Sequence, residues 1–130
     1  MIYTVTLNPA LDYIMYPNNL SVGEINRSAR ESLYFGGKGI NVSFILNELG
    51  ISSVATGFIA GFTGDALESA VSAFAKTDFV RLKKGLTRIN VKLRSENETD
   101  INAAGPEVSK ADINRLFERL EKVRAGDTVV

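Results

Sequence analysis

A glycine-rich turn followed directly by a helical pattern is the feature that most constrains this chain. Three glycines occupy four positions in the segment Phe35-Gly36-Gly37-Lys38-Gly39-Ile40-Asn41-Val42-Ser43. Apolar residues then recur at the spacing of one buried helical face, at Val42, Ile45, Leu46 and Leu49. Glycines at a helix N-terminus leave backbone N–H groups bare, and the helix dipole favours an anion there. The turn therefore predicts an anion or polyol site, with Lys38 and Asn41 contributing a charge and an amide.

The same glycines also fit a purely structural purpose, because they let a helix pack closely on a strand, and spacing alone leaves both interpretations open. Two nucleotide-binding fingerprints do not match the turn. A Walker A loop has Ser or Thr after its lysine, whereas Gly39 follows Lys38. A dinucleotide fingerprint that begins at Gly37 has Val42 where its third glycine belongs. These mismatches disfavour a nucleotide-binding regulatory α/β domain.

The residue types present narrow the chemistry further. The 130 residues include neither Cys nor His, which excludes disulfides, thiol catalysis, Cys/His zinc sites and histidine bases within them. Lys plus Arg and Asp plus Glu number 15 each, so no charge excess indicates a nucleic-acid partner. The first residues, MIYTVTLNP, do not show a basic region before an apolar core, and no apolar run in the 130 residues approaches membrane-spanning length. We therefore expect a cytoplasmic protein of one domain with no membrane partner.

Strand and helix patterns alternate along the chain. Strands are predicted at 1–7 and 53–58, and the first predicted helix ends at Gly50. We expect Thr63 to cap a second helix, with a buried face formed by Leu67, Ala70, Val71 and Phe74. This order predicts βαβ units and a largely parallel sheet, in which the first strand is buried.

A third helix is predicted after Gly105-Pro106. Ser109 and Asp112 can form its N-terminal cap, and Gly126 closes it. Its apolar face comprises Ile113, Leu116, Phe117 and Leu120. The last four residues, 127–130, then predict the start of a buried strand. Since a strand cut at this point is not a usual domain end, we expect the chain to be truncated.

Residues 87–94 alternate strictly between polar and apolar side chains. One side carries Arg88, Asn90, Lys92 and Arg94, and the other carries Ile89, Val91 and Leu93. Period two is typical of a strand with two different faces, and a turn at 95–98 leads back to form a hairpin. The polar side suits either a solvated edge strand or a binding face, and the sequence leaves both open. The apolar side needs cover from other strands or from a second subunit.

Five segments together resemble a known family. They are TLNPALD near the start, FGGKGINVS at the glycine turn, TGFIAGFTGDAL, TRINVKL and INAAGP. In this order, and over essentially all 130 residues, they are similar to the N-terminal part of PfkB-type sugar kinases. The resemblance implies an α/β ribokinase-like fold, with a parallel sheet, flanking helices and a small β-sheet lid. It places lid strands near 11–16, 29–35 and 86–103, and it implies a homodimer formed through the lid.

The resemblance also implies a substrate-binding set. Asp12 would bind sugar hydroxyls, although taken by itself an aspartate at this place is more often an ordinary surface turn residue. Arg88 would bind the substrate phosphate, and Arg27 is a weaker candidate. The remaining implied contacts are Gly36, Gly37, Lys38 and Asn41 in the glycine turn, with Asn90 and Lys92 beside Arg88.

The activity implied is transfer of phosphate from ATP, with Mg²⁺, to a ketohexose phosphate. The motifs are most similar to those of kinases that convert fructose 1-phosphate to fructose 1,6-bisphosphate. Tagatose 6-phosphate kinases and a non-catalytic sugar-phosphate binding module are the alternatives. The family's Gly-x-Gly-Asp signature is absent, because Gly64-Asp65 and Gly126-Asp127 lack its first glycine, and its Asn-x-x-Glu motif is absent too. We therefore expect the sugar-binding half of a kinase, with no catalytic residue and no activity of its own.

Overall fold

Two β-sheets divide the strands of this protein between them. The computed structural model describes residues 1–130. Its elements are β1 (Ile2–Thr6), β2 (Ala10–Pro17), β3 (Ser28–Gly36), α1 (Lys38–Glu48), β4 (Ser53–Ala60), α2 (Gly61–Val71), β5 (Lys76–Thr77), β6 (Val80–Leu82), β7 (Arg88–Leu93), β8 (Thr99–Ile101), α3 (Lys110–Leu120) and β9 (Thr128–Val129). None of the three helices is both long enough and apolar enough to cross a lipid bilayer.

The main sheet is parallel throughout. Its strand order is β5-β4-β1-β9, and β6 also pairs with β4. Helices α1 and α2 connect consecutive strands, as the alternating pattern predicted. β1 lies between β4 and β9, which accounts for its β-branched and apolar sequence. The predicted α/β architecture with a parallel sheet is confirmed.

Three glycines pack against one residue, Thr6, at the carboxyl end of β1. A Cβ atom added to Gly57, its partner in β4, would lie 1.9 Å from the Thr6 carbonyl oxygen. A Cβ at Gly37 would lie 2.4 Å from Thr6 Cγ2, and one at Gly39 would lie 2.7 Å from Thr6 Oγ1. Gly37 and Gly57 also have φ angles of 143° and 140°, which other residues rarely adopt. The structural interpretation of the glycine turn is therefore correct for Gly37 and Gly39.

Helix α1 packs on the main sheet through small and polar residues. Its buried positions are Gly39, Ile40 and Ser43, and the Ser43 hydroxyl lies 2.7 Å from Thr4 Oγ1 and 2.9 Å from Ser53 Oγ. The predicted buried face is wrong. Its members Val42 and Leu46 are half-buried, whereas Ile45 and Leu49 are 56% and 68% exposed. The helix approaches the strands so closely at Thr6 that only small side chains and one isoleucine fit beneath it.

The predicted end of α1 is correct. Gly50 has a φ of 74°, its N–H donates to the Asn47 carbonyl, and the Ile51 N–H donates to the Leu46 carbonyl. This pair of bonds is the Schellman arrangement that glycine favours at helix ends.

Helix α2 begins three residues earlier than predicted. Its N-cap is Ala60, which offers no side-chain cap, so the prediction that Thr63 caps the helix is wrong. The Thr63 hydroxyl instead donates to the carbonyl of Thr87, 2.8 Å away. Leu67 and Val71 are buried as predicted, whereas Ala70 and Phe74 are half-buried and Phe74 lies beyond the helix end. The Thr63 hydroxyl, which the sequence pattern assigned to a helix cap, instead forms a tertiary hydrogen bond.

Helix α3 carries the predicted capping box. The Asp112 N–H donates to Ser109 Oγ at 3.2 Å, and the Ser109 N–H donates to Asp112 Oδ2 at 3.2 Å. The hydrogen bond from the Ser109 hydroxyl is the first cause that holds the pKa of Asp112 below its usual value. Of the four residues predicted to form its buried face, only Leu116 is buried. Leu120 is half-buried, and Ile113 and Phe117 are exposed.

The segment after α3 departs from the prediction in two ways. The helix ends at Leu120, and Gly126 lies in the turn before β9, so Gly126 does not close the helix. The strand expected at 127–130 is present as β9 and pairs with β1, but its side chains are exposed. It is an edge strand with no neighbour on its outer side among these residues.

The small sheet has the strand order β3-β2-β7-β8. Strand β2 is parallel to β7, and the two outer pairs are antiparallel. Its strands fall near 11–16, 29–35 and 86–103, the ranges in which the resemblance implied lid strands. Register puts Asp12 opposite both Tyr34 and Asn90, and Tyr13 opposite both Leu33 and Val91. The sheet thus has one mainly polar and one mainly apolar face, as the alternation of 87–94 predicted.

We expect Gly57→Ala to destabilise the protein strongly, because the added methyl group would overlap the Thr6 carbonyl oxygen. The loss of unfolding free energy should be about 3 kcal/mol or more, to be measured by urea denaturation. Gly50→Ala is the matched control, since Gly50 also has a positive φ but no atom within 4 Å of an added Cβ. That control should cost only about 1–2 kcal/mol. Equal losses for the two variants would show that the contact with Thr6 is not the constraint.

Candidate active site

Three segments that are distant in sequence meet at one end of the small sheet. Strand β2 supplies Asp12, the last residue of β3 is Gly36, and β7 supplies Asn90. Asn90 Nδ2 donates to Asp12 Oδ1 at 2.8 Å, and a Cβ added to Gly36 would lie 3.3 Å from Asp12 Oδ2. The register of β2 with β3 and β7 brings these groups to the same face. Strand pairing therefore assembles the site.

The Asp12–Asn90 pair presents unused hydrogen-bonding capacity. Asn90 is only 6% exposed, and its carbonyl oxygen Oδ1 is buried with no partner. An unpaired buried acceptor costs about 1–3 kcal/mol, so such a group favours a ligand that donates a hydrogen bond. Asp12 is half-buried in a strand, with one oxygen bonded to Asn90 and the other beside Gly36. The interpretation of Asp12 as an ordinary turn aspartate is therefore wrong.

Arg88 stands at the start of β7 with its charge unpaired. It forms no ion pair, and its Nε atom is buried without a hydrogen-bond partner. Other arginines of the chain do pair with carboxylates, namely Arg81, Arg94, Arg115 and Arg119. A half-buried guanidinium without an acidic partner suits an anionic ligand, which it can hold by two parallel hydrogen bonds.

The cations on the far half of the same strand face are paired with carboxylates, both of them with Asp100 and Arg94 also with Glu98 at 3.7 Å. Lys92 Nζ lies 3.1 Å from Asp100 Oδ2, and an Arg94 guanidinium nitrogen lies 2.7 Å from Asp100 Oδ1. The hydrogen bonds from Arg94 first, and then from Lys92, hold the pKa of Asp100 below its usual value. The stabilisation from this carboxylate is therefore complete above its usual pKa and is lost as the pH falls through the lowered value. Of the cations on this face, only Arg88 is free of carboxylates.

The position of β7 decides between the two interpretations of its polar side. β7 is hydrogen-bonded on both edges, to β2 and to β8, so it is not an edge strand. Its polar residues Arg88, Asn90 and Lys92 are buried or half-buried, whereas Ile89 on the opposite face is exposed. The solvated-edge interpretation is wrong.

The glycine turn brings the N-terminus of α1 to the same region. α1 begins at Lys38, and its N-cap residue Gly37 provides no side-chain cap. One N–H group of the first turn, that of Ile40, donates to Thr6 Oγ1 at 3.1 Å. The side chains of Lys38 and Asn41 are exposed, one turn apart, and form no hydrogen bond or ion pair within the chain. The end of α1 is thus both packed on β1 and open to an anion.

Other predicted candidates lie outside this arrangement. Arg27 is exposed and precedes Ser28, which pairs with Pro17 at the opposite end of β2 from Asp12. Asp65 forms an ion pair with Arg81, and Asp127 binds the N-terminal amine at 2.6 Å. No group of three or more acidic residues is placed to hold a metal ion. Neither Gly-Asp pair therefore contributes to the site.

Two clefts of the molecule lie away from these residues. One, of about 370 Å³, is formed by the ends of α1 and α2 near Gly50 and Phe74. The other, of about 650 Å³, lies between β6 and the start of α3, where Arg115 already pairs with Asp112. Neither combines an unpaired buried acceptor with an unpaired cation, as the Asp12 region does.

Two threonines that no sequence pattern singled out, Thr6 and Thr87, help to build the site. Thr6 anchors the glycine turn, and Thr87 is 1% exposed directly before Arg88. The only sequence signal for either residue is that it begins a segment that carries the family resemblance, TLNPALD for Thr6 and TRINVKL for Thr87, since a threonine in or beside a strand is otherwise ordinary.

Comparisons with known proteins agree with this geometry. A model of the pfkB family of carbohydrate kinases matches residues 5–130. A 1-phosphofructokinase of Bacillus subtilis is 44% identical, over all of this chain and 43% of its own length. A D-tagatose-1-phosphate kinase of Bacillus licheniformis is 36% identical, over 97% of this chain and 41% of its own length. The chain thus spans less than half the length of these curated relatives.

Solved structures give the same result. A phosphofructokinase structure from Staphylococcus aureus superposes with a TM-score of 0.93 at 37% identity, over 99% of this chain and 42% of that one. Escherichia coli phosphofructokinase-2, in complex with fructose-6-phosphate, gives a TM-score of 0.87 at 26% identity, over 98% of this chain and 43% of that one. With the family model covering nearly the whole sequence, the chain belongs to the pfkB family of carbohydrate kinases.

Proposed function

We propose that the protein containing this chain transfers phosphate from ATP to the free primary hydroxyl of fructose 1-phosphate, forming fructose 1,6-bisphosphate. The observation that carries the proposal is the Asp12–Asn90 pair beside an unpaired arginine, Arg88. A sugar phosphate combines hydroxyl groups, which donate and accept hydrogen bonds, with a dianion. The hydroxyl groups would satisfy the Asp12–Asn90 pair, and the dianion would pair with Arg88. The relative in Bacillus subtilis, a 1-phosphofructokinase, supports the same substrate.

Each group has a role in this proposal. Arg88 binds the substrate phosphate, because it is the cation of its strand face that no carboxylate occupies. Asp12 accepts hydrogen bonds from sugar hydroxyls, and Asn90 Oδ1 accepts another. Lys38 and Asn41 act at the N-terminus of α1, where Gly36 keeps the approach to Asp12 free of a side chain. Gly37, whose Cβ position faces Thr6, offers the substrate only its backbone. Lys92, paired with Asp100, supplies a weaker and more distant field than Arg88.

The proposed reaction also requires ATP and Mg²⁺, but these 130 residues do not form a binding site suited to either. The chain holds no acidic cluster suited to a metal ion, and its glycine turn is not a Walker A loop. ATP is the phosphoryl donor of the family. We therefore assign its contacts, the Mg²⁺ site and the catalytic base to parts of the protein outside these residues. Because ATP and phosphorylated sugars are charged and do not cross membranes, we place the reaction in the cytoplasm.

A second substrate candidate comes from the relative in Bacillus licheniformis, a D-tagatose-1-phosphate kinase. Tagatose differs from fructose in the configuration at C4 alone, so Asp12 and Asn90 would have to distinguish one hydroxyl. The tagatose 6-phosphate expected from the sequence, and a non-catalytic binding module, remain further alternatives. We expect the complete protein to show its highest kcat/KM with fructose 1-phosphate when all three sugar phosphates are assayed with ATP. Binding without turnover of any of them would favour the binding module.

We further propose that two copies of the protein associate through the apolar face of the small sheet. Leu33, Ile89 and Ile101 lie on that face and are exposed, each in a different strand. Contiguous apolar surface of this kind is typical of an interface between subunits. The tetrameric form of Escherichia coli phosphofructokinase-2 is an assembled neighbour with this fold.

Arg88→Ala should raise the KM for fructose 1-phosphate about 10- to 100-fold, because a bidentate charge-assisted contact is lost. The KM for ATP should change little, and steady-state kinetics on the complete protein measure both constants. Arg124→Ala is the control, since Arg124 is exposed, unpaired and next to the turn before β9 rather than in the site. An unaltered sugar-phosphate KM in Arg88→Ala would remove Arg88 from the phosphate site.

Gly36→Ala should lower activity without lowering stability. Gly36 has no positive φ, so the backbone accepts alanine, but the new methyl group would lie 3.3 Å from Asp12 Oδ2. We expect kcat/KM to fall about tenfold or more as Asp12 is displaced, while the urea midpoint stays the same or rises. A variant with normal kinetics would show that the Asp12 oxygen beside Gly36 does not meet substrate.

Val91→Asp should convert the proposed dimer to monomer in sedimentation velocity experiments, because it places a charge in the middle of the apolar face. Val22→Asp is the matched control. Val22 is 97% exposed in the loop before β3, so its substitution should leave the association state unchanged. A Val91→Asp protein that sediments as a dimer would place the interface elsewhere.

A further inference from the structure

Thr87 links the start of β7 to the junction of β4 and α2. The Ala60 N–H donates to Thr87 Oγ1 at 2.9 Å, and the Thr87 N–H donates to the Ala60 carbonyl at 2.9 Å. The Thr63 hydroxyl donates to the Thr87 carbonyl at 2.8 Å. Side chain and both backbone groups of Thr87 are thus bonded to the main-sheet side, and the residue is 1% exposed.

The loop before β7 and the first turn of α2 also approach each other so closely that two positions of α2 have little or no room for a side chain. A Cβ added to Gly61 would lie 2.4 Å from Leu86 Cδ2 and 3.0 Å from the Gly85 carbonyl oxygen. A Cβ added to Gly64 would lie 3.1 Å from Thr87 Oγ1. The loop before β7 therefore lies directly on the first turn of α2, and glycines in that turn make the contact possible.

This junction stands immediately beside the unpaired arginine. Arg88 is the residue after Thr87, and its Nε atom has no hydrogen-bond partner to orient it. No ion pair holds its guanidinium group either. The direction of the Arg88 side chain consequently depends on the position of its own backbone. The three hydrogen bonds of Thr87 fix that backbone relative to the main sheet.

We propose that Thr87 is a positioning residue for Arg88: by binding Ala60 and Thr63 it sets where the guanidinium group meets the substrate phosphate. The inference rests on the function proposed above, in which Arg88 binds that phosphate. Thr87 itself touches no substrate. A contact made through one correctly placed arginine is sensitive to small displacements, since a shift of about 1 Å in a positioning group costs on the order of 100-fold in rate.

The test uses the complete protein and three single substitutions. Thr87→Val keeps the shape of the side chain but leaves the buried Ala60 N–H without an acceptor, so the KM for fructose 1-phosphate should rise about tenfold or more. The kcat should change by no more than about threefold, and the KM for ATP should stay constant. Thr87→Ser retains the hydroxyl and should restore the sugar-phosphate KM.

Thr56→Val is the matched control. Thr56 is also a buried threonine, and its hydroxyl donates to the Asp78 carbonyl at 2.7 Å, away from Arg88. It should lower the melting temperature much as Thr87→Val does, without raising the KM for the sugar phosphate. If Thr87→Val does not fold, Thr63→Val replaces it, because that change removes the donor to the Thr87 carbonyl and leaves the Ala60 N–H bonded to Thr87 Oγ1; the longer 3.4 Å contact of the Thr63 hydroxyl with the Ala60 carbonyl is lost with it. It should raise the same KM by a smaller factor.

A double-mutant cycle separates positioning from general damage. In the Arg88→Ala background, Thr87→Val should cause little further rise in the sugar-phosphate KM, since the residue that it positions is gone. Equal effects in both backgrounds, or an equal KM rise in Thr56→Val, would overturn the role of Thr87 while leaving the proposed kinase activity intact. Wild-type protein that turns over no sugar phosphate would overturn the proposed function and this inference together.

Discussion

The contact between the glycine turn and Thr6 is the constraint on which the rest of the structure depends. Thr6 leaves no room for a Cβ atom at Gly37 or Gly39 on one side, or at Gly57 on the other. Because interiors are close-packed and resist displacement, that contact fixes the N-terminus of α1 against the carboxyl end of β1. The same contact also positions the neighbouring Gly36 beside the Asp12 carboxylate. One packing contact in the core thus determines where the site can form.

Charge is distributed unequally along the polar face of β7. Asp100 pairs with both Lys92 and Arg94 at one end, and Glu98 lies 3.7 Å from Arg94 as well, whereas Arg88 at the other end has no acidic partner. An anion is therefore attracted to one position rather than to the whole face, and buried Asn90 beside it adds an unpaired acceptor. Groups held in place before a ligand arrives need little reorganisation when it binds. The proposed sugar-phosphate site is in this sense preorganised by the sheet itself.

The small sheet serves two purposes at once because its strands alternate. Its polar face carries the proposed site, and its apolar face leaves Ile89 and Ile101 exposed for the proposed contact between subunits. Since the two faces share a backbone, a shift of β7 would move both. The hydrogen bonds of Thr87 to the β4–α2 junction restrain such a shift and connect the small sheet to the parallel core.

The sequence by itself determined the features that depend on neighbours along the chain. The βαβ order, the alternation at 87–94, the capping box at Ser109 and the helix end at Gly50 follow from local spacing and backbone preference, and the family resemblance located the strands of the small sheet. Tertiary structure alone decided that α1 buries Gly39 and Ser43 rather than Ile45, that Thr63 bonds Thr87 rather than capping α2, and that Asp12 meets Asn90. These outcomes depend on the distance between packed elements and on register between strands far apart in sequence, which no local pattern encodes.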